Sequence, residues 1–286
     1  MPDTNPPRNV VVTGTSTGIG RTTVRLLASQ GFRVFAVVRR EEDARSLRDE
    51  GHENLTPLRF DVTDAAAIEQ SAKDVEAEVG AAGLSGLVNN AGIGFGGPLE
   101  FADVDEIRAG FEVNVFGPVA VTRAFLPLVR RATGRIVNVS SGAGKASTPL
   151  LGPYCASKFA LEALSDALRV ELRKSGIFVS VIEPGFIDTP MQAKGLSEAE
   201  RRQAALPADA PAYYQAAMTK LREQFERFGT NATPPDAVAK AIHRALTASR
   251  PRTRYTVGLD AKLLAPVSRL LPDRAKDAIF GRLLGL

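Results

Sequence analysis

The chain has 286 residues, 44% of them hydrophobic, which is enough for one large α/β domain covering residues 1–286. Its net charge is only +4, and the basic residues are spread along the chain without an aromatic-basic patch, so no nucleic-acid binding is expected. A single cysteine, Cys155, excludes an internal disulfide and indicates a reducing compartment. The two histidines, His52 and His243, lie far apart in sequence, so no metal site is expected.

The usual membrane-targeting signals are not visible in the sequence. Residues 1–8 are polar and proline-rich, without the apolar core of a signal peptide. No window holds the roughly eighteen consecutive apolar residues that indicate a membrane-spanning helix. We therefore expect a cytoplasmic protein.

Strand-like apolar runs alternate with helical segments along the chain. The runs lie at 10–13, 33–38, 57–60, 86–89, 135–140 and 177–182, with a possible seventh strand at 254–257. This alternation predicts βαβ units and a parallel sheet with helices on both faces. Because crossovers are right-handed, the expected fold is a single-domain doubly wound α/β sheet of the Rossmann type.

A glycine-rich turn joins the first predicted strand to the first helix. The turn reads Thr13-Gly14-Thr15-Ser16-Thr17-Gly18-Ile19-Gly20. Glycines let backbone N–H groups approach a pyrophosphate, and a helix N-terminus adds partial positive charge. The spacing is G-x-x-x-G-x-G and not G-x-G-x-x-G, and a tight turn without a ligand is the alternative interpretation.

The end of the second strand bears on the choice of cofactor. Rossmann proteins that prefer NAD place an acid about 20 residues past the glycines, where it binds the ribose hydroxyls. Here Val38 is followed by Arg39, and a guanidinium suits the 2′-phosphate of NADP. The alternative is that Arg39 and Arg40 are solvated while Glu41 or Glu42 reaches the ribose, which would favour NAD.

Three further residues indicate proton-transfer chemistry. Tyr154 and Lys158 are four residues apart, one helical turn, so their side chains project from the same face. A nearby cation favours the phenolate and lowers a tyrosine pKa toward the working pH. Ser141 follows an apolar run at the predicted carboxyl end of a strand, where open α/β sheets bind ligands. The Tyr–Lys spacing alone also occurs by chance.

Together these motifs resemble those of the short-chain dehydrogenase/reductase family. The shared motifs, in family order, are Thr13-Gly14-x-x-x-Gly18-x-Gly20, Asn89-Asn90-Ala91-Gly92, Asn114, Ser141, Tyr154-x-x-x-Lys158 and Pro184-Gly185. The last third of the chain carries no such signature. Two positions depart from frequent family patterns: Thr17 stands where some members have a basic residue, and no Asp precedes the fourth strand.

The resemblance implies a hydride-transferring oxidoreductase with a catalytic set of Asn114, Ser141, Tyr154 and Lys158. In this set Tyr154 exchanges a proton with the substrate oxygen, and Ser141 orients that oxygen. Lys158 also bridges the nicotinamide ribose, and Asn114 kinks its helix and holds a water beside Lys158. A catalytically silent dinucleotide-binding sensor or scaffold is the alternative from another class.

The resemblance also implies a cofactor-binding set drawn from several strand ends. This set comprises Gly14, Ser16, Thr17, Gly18, Ile19, Gly20, Arg39, Asp61, Val62, Asn90, Ala91, Gly92, Tyr154, Lys158, Pro184, Gly185, Ile187 and Thr189. Asp61 would accept from the adenine amino group. The Ile187 backbone would bind the nicotinamide carboxamide, and the Thr189 hydroxyl would steady the phosphates.

The segment 190–232 is predicted to cover a small hydrophobic substrate. Its apolar residues could face a wall formed by Phe95, Leu150 and Leu151, which together make an apolar pocket. The segment resembles relatives that act on steroid-, retinoid- or lipid-like alcohols and ketones. The alternative is an ordinary pair of amphipathic helices packed on the core.

The segment 261–286 is predicted to form a helical C-terminal extension. Its apolar stripes comprise Leu263, Leu264, Val267, Leu270 and Leu271, then Ala278, Ile279, Leu283 and Leu284. We expect these stripes to pack against the protein itself or a second subunit of a homo-oligomer. Interleaved Lys and Arg residues also fit association with an anionic membrane surface, which we do not favour.

Overall fold

The computed structural model describes residues 8–286, except for the side chains of 264–269. Seven parallel strands form one sheet in the order β3-β2-β1-β4-β5-β6-β7. The strands are β1 (Asn9–Val12), β2 (Arg33–Val38), β3 (Leu55–Arg59), β4 (Gly86–Asn89), β5 (Arg135–Val139), β6 (Phe178–Pro184) and β7 (Arg254–Val257). The predicted doubly wound sheet is therefore confirmed, with strand limits that differ from prediction by one or two residues.

Helices cover both faces of this sheet within the described part of the chain. They are α1 (Gly18–Ser29), α2 (Glu41–Arg48), α3 (Ala65–Val79), α4 (Val104–Phe111), α5 (Gly117–Arg131), α6 (Gly152–Glu171), α7 (Pro190–Ala204), α8 (Ala212–Gly229), α9 (Pro235–Thr247), α10 (Leu259–Leu270) and α11 (Asp273–Leu284). Alternate strand residues point to opposite faces. Val10 and Val12 accordingly pack in the core that includes α1 and α9, whereas Val11 packs in the core that includes α3 and α5.

The strand order reverses beside β1, which lies between β2 and β4. Loops that leave the carboxyl ends of adjacent strands diverge at such a point and open a crevice for ligands. The glycine-rich turn after β1 and the Asn90–Gly92 segment after β4 both leave the sheet here. The topology therefore brings the predicted cofactor-binding loops to one edge of the sheet.

Buried asparagines connect the sheet to the helices behind this edge. Asn89 Nδ2 donates to Asn138 Oδ1 at 2.9 Å and to Thr122 Oγ1 at 3.0 Å. Asn138 Nδ2 in turn donates to Ser165 Oγ at 2.8 Å. Because an unpaired buried amide is costly, this chain fixes how α5 and α6 sit against β4 and β5.

The helical stretch Val104–Arg131 joins α4 to α5 through a π-helical turn at Glu112–Phe116. By length and composition alone this stretch is apolar enough to cross a membrane. Half of its most apolar window is buried inside the fold, where Val121 and Phe125 pack under the sheet. The core helix of a globular domain satisfies the same criteria, so its apolar character is explained by this packing.

Candidate active site

The glycine-rich turn is held against the end of β4. Gly14 has φ +68°, and a Cβ at this position would lie 2.7 Å from the Cα of Ala91. Asn90 Nδ2 donates to the carbonyl oxygens of Thr13 and Gly14 at 2.9 and 3.0 Å. Only glycine tolerates both the left-handed conformation and the close approach, which explains the residue type at position 14.

The N-terminus of α1 offers free backbone donors. Thr17 is the extended N-cap residue, and among the described residues no side chain caps this end of the helix. The Thr15 hydroxyl is directed away from this end, donating to the Val37 carbonyl at 2.9 Å. Uncapped N–H groups with the helix dipole behind them suit an anion such as a pyrophosphate, so this turn fits the predicted dinucleotide.

Arg39 lies at the carboxyl end of β2 with 67% of its side chain exposed. Its Nη1 is 3.8 Å from Asp61 Oδ2 at the end of β3, a long ion pair that leaves most of the guanidinium accessible. The neighbouring Arg40 is instead bound to Asp43, with Nε 3.0 Å from Oδ2. Arg48 donates to Glu41 at 3.0 Å and lowers the pKa of that carboxyl. The two arginines are equally exposed, but Arg39 is the less tightly paired of the two.

Ser141, Tyr154 and Lys158 converge at the carboxyl end of β5. Ser141 follows this strand, its Oγ accepts a hydrogen bond from Ala143 N at 3.1 Å, and it is near enough to Tyr154 to influence the pKa of that phenol. Lys158 lies one turn along α6, with its Nζ 5.8 Å from the centre of the Tyr154 ring. The sequence prediction that these three residues meet on one face is therefore matched by the geometry.

Both titratable groups of this cluster are biased toward their neutral forms. Withdrawal from water raises the pKa of Tyr154 to about 12, and the influence of Ser141 offsets only part of this effect. Burial likewise lowers the pKa of Lys158 to about 8, partly offset by the negative charge of Glu162. The Lys158 ammonium donates to the Val139 carbonyl at 3.2 Å. The predicted lowering of the Tyr154 pKa by Lys158 is not seen here, because withdrawal from water dominates and the only lowering influence comes from Ser141.

Asn114 lies inside the π-helical turn and is almost fully buried. Its Oδ1 accepts from Ile93 N at 2.9 Å, and its Nδ2 donates to the Ile93 carbonyl at 2.9 Å and to Ser157 Oγ at 3.2 Å. A Cβ on Gly92 would lie 3.3 Å from Asn114 Oδ1 and 3.5 Å from Lys158 Nζ. The expected helix irregularity is present, and Asn114 fixes the segment after β4 beside Lys158.

The loop after β6 closes the remaining side of the crevice. Ile187 pairs with Thr233, and Asp188 N donates to the Thr233 carbonyl at 3.0 Å. A Cβ on Gly18 would lie 3.0 Å from the Thr189 methyl group, so this loop meets the N-terminus of α1. The predicted site residues from β1 to β6 therefore surround one crevice.

A comparison with known protein families identifies the family to which this fold and site belong. The sequence model of the short chain dehydrogenase family matches residues 8–200, which is more than half of the chain. The chain belongs to the short-chain dehydrogenase/reductase family. It is accordingly an oxidoreductase of a family that binds nicotinamide dinucleotides and acts on small molecules.

Individual relatives resemble this family member along nearly its whole length. Human retinol dehydrogenase 5 is 40% identical over 278 residues, which cover 94% of this chain and 86% of that protein. An NADPH-dependent 3-dehydrocapnine reductase from Ornithobacterium rhinotracheale is 36% identical and covers 96% of both chains. The crystal structure of a short chain dehydrogenase from Burkholderia cenocepacia in complex with NADP has 25% identity and a TM-score of 0.73, covering 97% and 98% of the two chains.

A buried ion network behind Lys158 was not predicted from the sequence of this family member. Glu162 accepts from Lys145 Nζ at 2.6 Å and from Arg254 Nε at 3.1 Å. Glu183 lies 3.2 Å from Lys145 Nζ and 3.1 Å from Arg254 Nε. The sequence held one indication of this network: Glu162 lies four residues, one helical turn, after Lys158. The network joins the turn after Ser141 to α6, β6 and β7.

The predicted substrate-covering segment forms α7 and α8. Five buried residues of this region pack together, namely Leu150, Ala217, Met218, Leu221 and Leu284. Phe95 is buried beside Tyr154, and the two rings meet edge to face with their centres 6.1 Å apart. The helix-pair alternative therefore accounts for Met218 and Leu221, whereas Phe95 supplies an apolar surface directly against the Tyr154 ring.

Burying the charged Lys158 lowers the free energy of unfolding at pH values where the unfolded chain keeps this lysine protonated. Replacing Lys158 by Met should remove this pH dependence. The ammonium has a pKa of about 8 in the fold against 10.5 for a free lysine, so between these values the unfolded chain holds more protons. The free energy of unfolding of the wild type should therefore rise, relative to Lys158→Met, by about 3 kcal/mol as pH increases from 8 to 10.5. Urea unfolding at several pH values measures this difference.

The matched control is Lys73→Met at an exposed position of α3. This control should follow the wild type across the same pH range. A pH-independent difference between Lys158→Met and the wild type would contradict the depressed pKa.

Proposed function

We propose that this protein transfers a hydride between NADP(H) and a hydrophobic ketone or secondary alcohol, with Tyr154 as proton donor or acceptor. The observation that carries the proposal is the convergence of Ser141, Tyr154 and Lys158 at the carboxyl end of β5, with Lys158 Nζ 5.8 Å from the centre of the Tyr154 ring. A sensor or scaffold needs the dinucleotide site but not this cluster. Retention of all three side chains at one strand end favours the enzyme over that alternative.

The roles of these side chains follow from the charge that develops on the substrate oxygen. The bound nicotinamide supplies or accepts the hydride. With its pKa raised to about 12, Tyr154 is protonated at neutral pH and can donate a proton to an alkoxide. The Ser141 hydroxyl can hydrogen-bond the same oxygen and orient it. Lys158, fixed near Gly92 and Asn114, is placed to bind ribose hydroxyls and to favour the phenolate when the proton has left.

The proposed cofactor is NADP, held at its 2′-phosphate by Arg39. The uncapped N-terminus of α1 and the Gly14 turn would hold the pyrophosphate, and the loop from Pro184 to Thr189 would hold the nicotinamide. The exposed guanidinium of Arg39 and the engagement of Glu41 by Arg48 support NADP over NAD. Further support comes from the NADPH-dependent reductase and the NADP-bound dehydrogenase among the relatives.

The proposed substrate is an apolar alcohol or ketone, in keeping with relatives named for retinol and steroid chemistry. Phe95 beside Tyr154, and Leu151 near the apolar cluster of α8, support an apolar wall. Turnover of a panel of retinoid, steroid, aliphatic and sugar substrates with NADPH tests this proposal. Preference for a sugar would contradict it, and NADPH binding without turnover of any carbonyl would favour the sensor alternative.

We also propose a cytoplasmic homo-oligomer with the extension 261–286 as a packing surface. Leu284 of α11 is buried against α8, and Gln224 Nε2 donates to the Leu283 carbonyl at 3.1 Å. The apolar positions Leu264 and Val267 of the predicted stripe lie outside the described side chains. Several exposed apolar residues are available to a second subunit, namely Phe116 at the end of the π-helical turn, Val119 of α5, and Phe159 and Leu164 of α6.

Arg39→Ala should weaken NADPH binding by about 1.5–3 kcal/mol, the usual worth of hydrogen bonds to a charged group. NADH binding should change little, because NADH lacks the 2′-phosphate. Titration of both reduced cofactors by fluorescence measures the two affinities. Arg45→Ala, an exposed arginine of α2, is the control that should leave both unchanged. Tighter binding of NADH than of NADPH by the wild type would contradict the proposal.

Tyr154→Phe keeps the ring against Phe95 but deletes the exchangeable proton. Turnover should fall by roughly 10²–10⁴-fold, the usual contribution of a positioned acid or base, with NADPH affinity nearly unchanged. Steady-state rates and cofactor titration on the same preparation measure both effects. Tyr213→Phe removes the hydroxyl of a half-exposed tyrosine and should behave as wild type. Near-normal turnover of Tyr154→Phe would refute the assignment.

Deletion of residues 261–286 should lower solubility or change the oligomeric state, because it uncovers Leu150 and Met218. Leu284→Asp should reproduce this effect, whereas Leu283→Asp, at a half-exposed site, should not. Size-exclusion chromatography with light scattering distinguishes these outcomes. Wild-type protein that pellets with anionic liposomes, while the truncated form stays in the supernatant, would show that the extension binds membranes instead.

A further inference from the structure

Asp260, in the first turn of α10, binds the loop after β6. Its Oδ2 accepts a hydrogen bond from Phe186 N at 2.7 Å. The preceding residue of the loop, Gly185, donates its N–H to the Val257 carbonyl at 2.8 Å. Two consecutive peptide groups of this loop are therefore bound by the segment that leads into α10.

The loop is shaped around the carboxylate of Asp260. A Cβ on Gly185 would collide with both carboxylate oxygens, and a Cβ on Gly258 would lie 2.5 Å from Oδ1. Gly258 also has φ +103°, a conformation that side chains rarely adopt. The carboxylate is thus enclosed by two glycines, in the first turn of α10, where a negative charge is favoured by the helix dipole.

Phe186 is also held from its other sides. Its carbonyl accepts from Thr233 N at 2.9 Å. Its ring stacks on Phe228, with centres 4.9 Å apart, and meets Phe225 edge to face at 5.1 Å. Because the ring is anchored on α8 and the N–H on Asp260, the peptide between Gly185 and Phe186 has one orientation.

A second contact brings the same helix start to the catalytic serine. Ala261 is buried, and its Cβ lies 3.6 Å from where a Cβ on Gly142 would stand. Gly142 follows Ser141 directly. The start of α10 therefore contacts both the loop after β6 and the turn after Ser141.

We infer that Asp260 is a positioning residue for the nicotinamide end of the cofactor. By fixing the Gly185–Phe186 peptide, it sets the path of the following residues, Ile187 to Thr189, toward the crevice. This inference rests on the proposed function, because it assigns that loop to the nicotinamide half. The start of α10, which carries no family motif, then forms part of the active site.

The test uses Asp260→Ser, which retains a residue suited to a helix N-terminus but is too short to reach Phe186 N. The affinities to be compared are those for NADPH and for 2′,5′-ADP, which contains the adenine half alone. NADPH should bind about tenfold more weakly to the variant, as expected for a lost hydrogen bond to a charged group, with 2′,5′-ADP binding unchanged within about twofold. Asp260→Asn, which keeps an acceptor oxygen, should recover most of the NADPH affinity.

Leu259→Ala is the matched control, because Leu259 precedes Asp260 and is 77% exposed. It should bind both ligands as the wild type does. Should Asp260→Ser be insoluble, Gly185→Ala disturbs the same contact from the loop side, and the same selective loss of NADPH affinity is expected.

Three results would overturn the inference alone. Equal weakening of both ligands would show only general damage to the fold, and unchanged NADPH affinity would show that the contact does not act on the nicotinamide half. If the wild type binds NADPH no more tightly than 2′,5′-ADP, the nicotinamide half contributes no affinity, which would also contradict the inference. Failure of the wild type to bind either ligand would instead overturn the proposed function, and the inference with it.

Discussion

The active site depends on an ammonium group withdrawn from water. Lys158 is 5% exposed, and a buried cation is costly unless neighbouring dipoles and charges stabilise it. The Val139 carbonyl supplies the nearest acceptor, and the carboxylate of Glu162 supplies negative charge one turn along α6. Glu162 would itself be an uncompensated buried charge without Lys145 and Arg254. The position of Lys158 is therefore set by a chain of charges that extends to β7, on the far side of β6.

The parallel sheet brings the segments that carry these charges to one edge. All neighbouring strands are parallel, so their carboxyl ends lie at the same edge of the sheet and the loop after each strand begins there. Behind that edge, the asparagine chain from Asn89 to Ser165 fixes the helices that carry Thr122 and Tyr154. The crevice is thus bounded by rigid elements, and each site residue is held by contacts outside the site. Such support is what positions hydrogen-bonding groups before a substrate arrives.

Features encoded by short spacings could be predicted from the sequence. The strand–glycine–helix pattern at residues 10–29 and the four-residue step from Tyr154 to Lys158 fix local geometry, and the structure reproduces both. The alternation of strands and helices likewise predicted the sheet. The spacing of residues in the sequence does not, however, show how deeply a side chain is buried. The predicted direction of the Tyr154 pKa shift was therefore wrong, because the shift depends on how far the surrounding loops exclude water.

Contacts between residues distant in sequence were not predicted, because local spacing does not show which elements meet in the fold. Lys145, Glu183 and Arg254 come from separate elements, and only the register of β6 against β7 brings the last two together. Asp260 lies in a region without a family motif, so no pattern pointed to Phe186. The apolar content of 190–232 predicted a buried surface there. It did not distinguish residues that pack α8, such as Met218, from those that could meet a substrate.

The placement of β7 has a consequence for biosynthesis. Translation proceeds from the N-terminus, so the motifs between residues 10 and 190 leave the ribosome before β7 does. Until Arg254 emerges, Glu162 and Glu183 have only Lys145 as a counter-ion in this network. A nascent chain that already contains every family motif would therefore lack one of the two cations that pair with both Glu162 and Glu183. The ion network behind Lys158 is thus completed late in synthesis, by a residue from the part of the chain that carries no family motif.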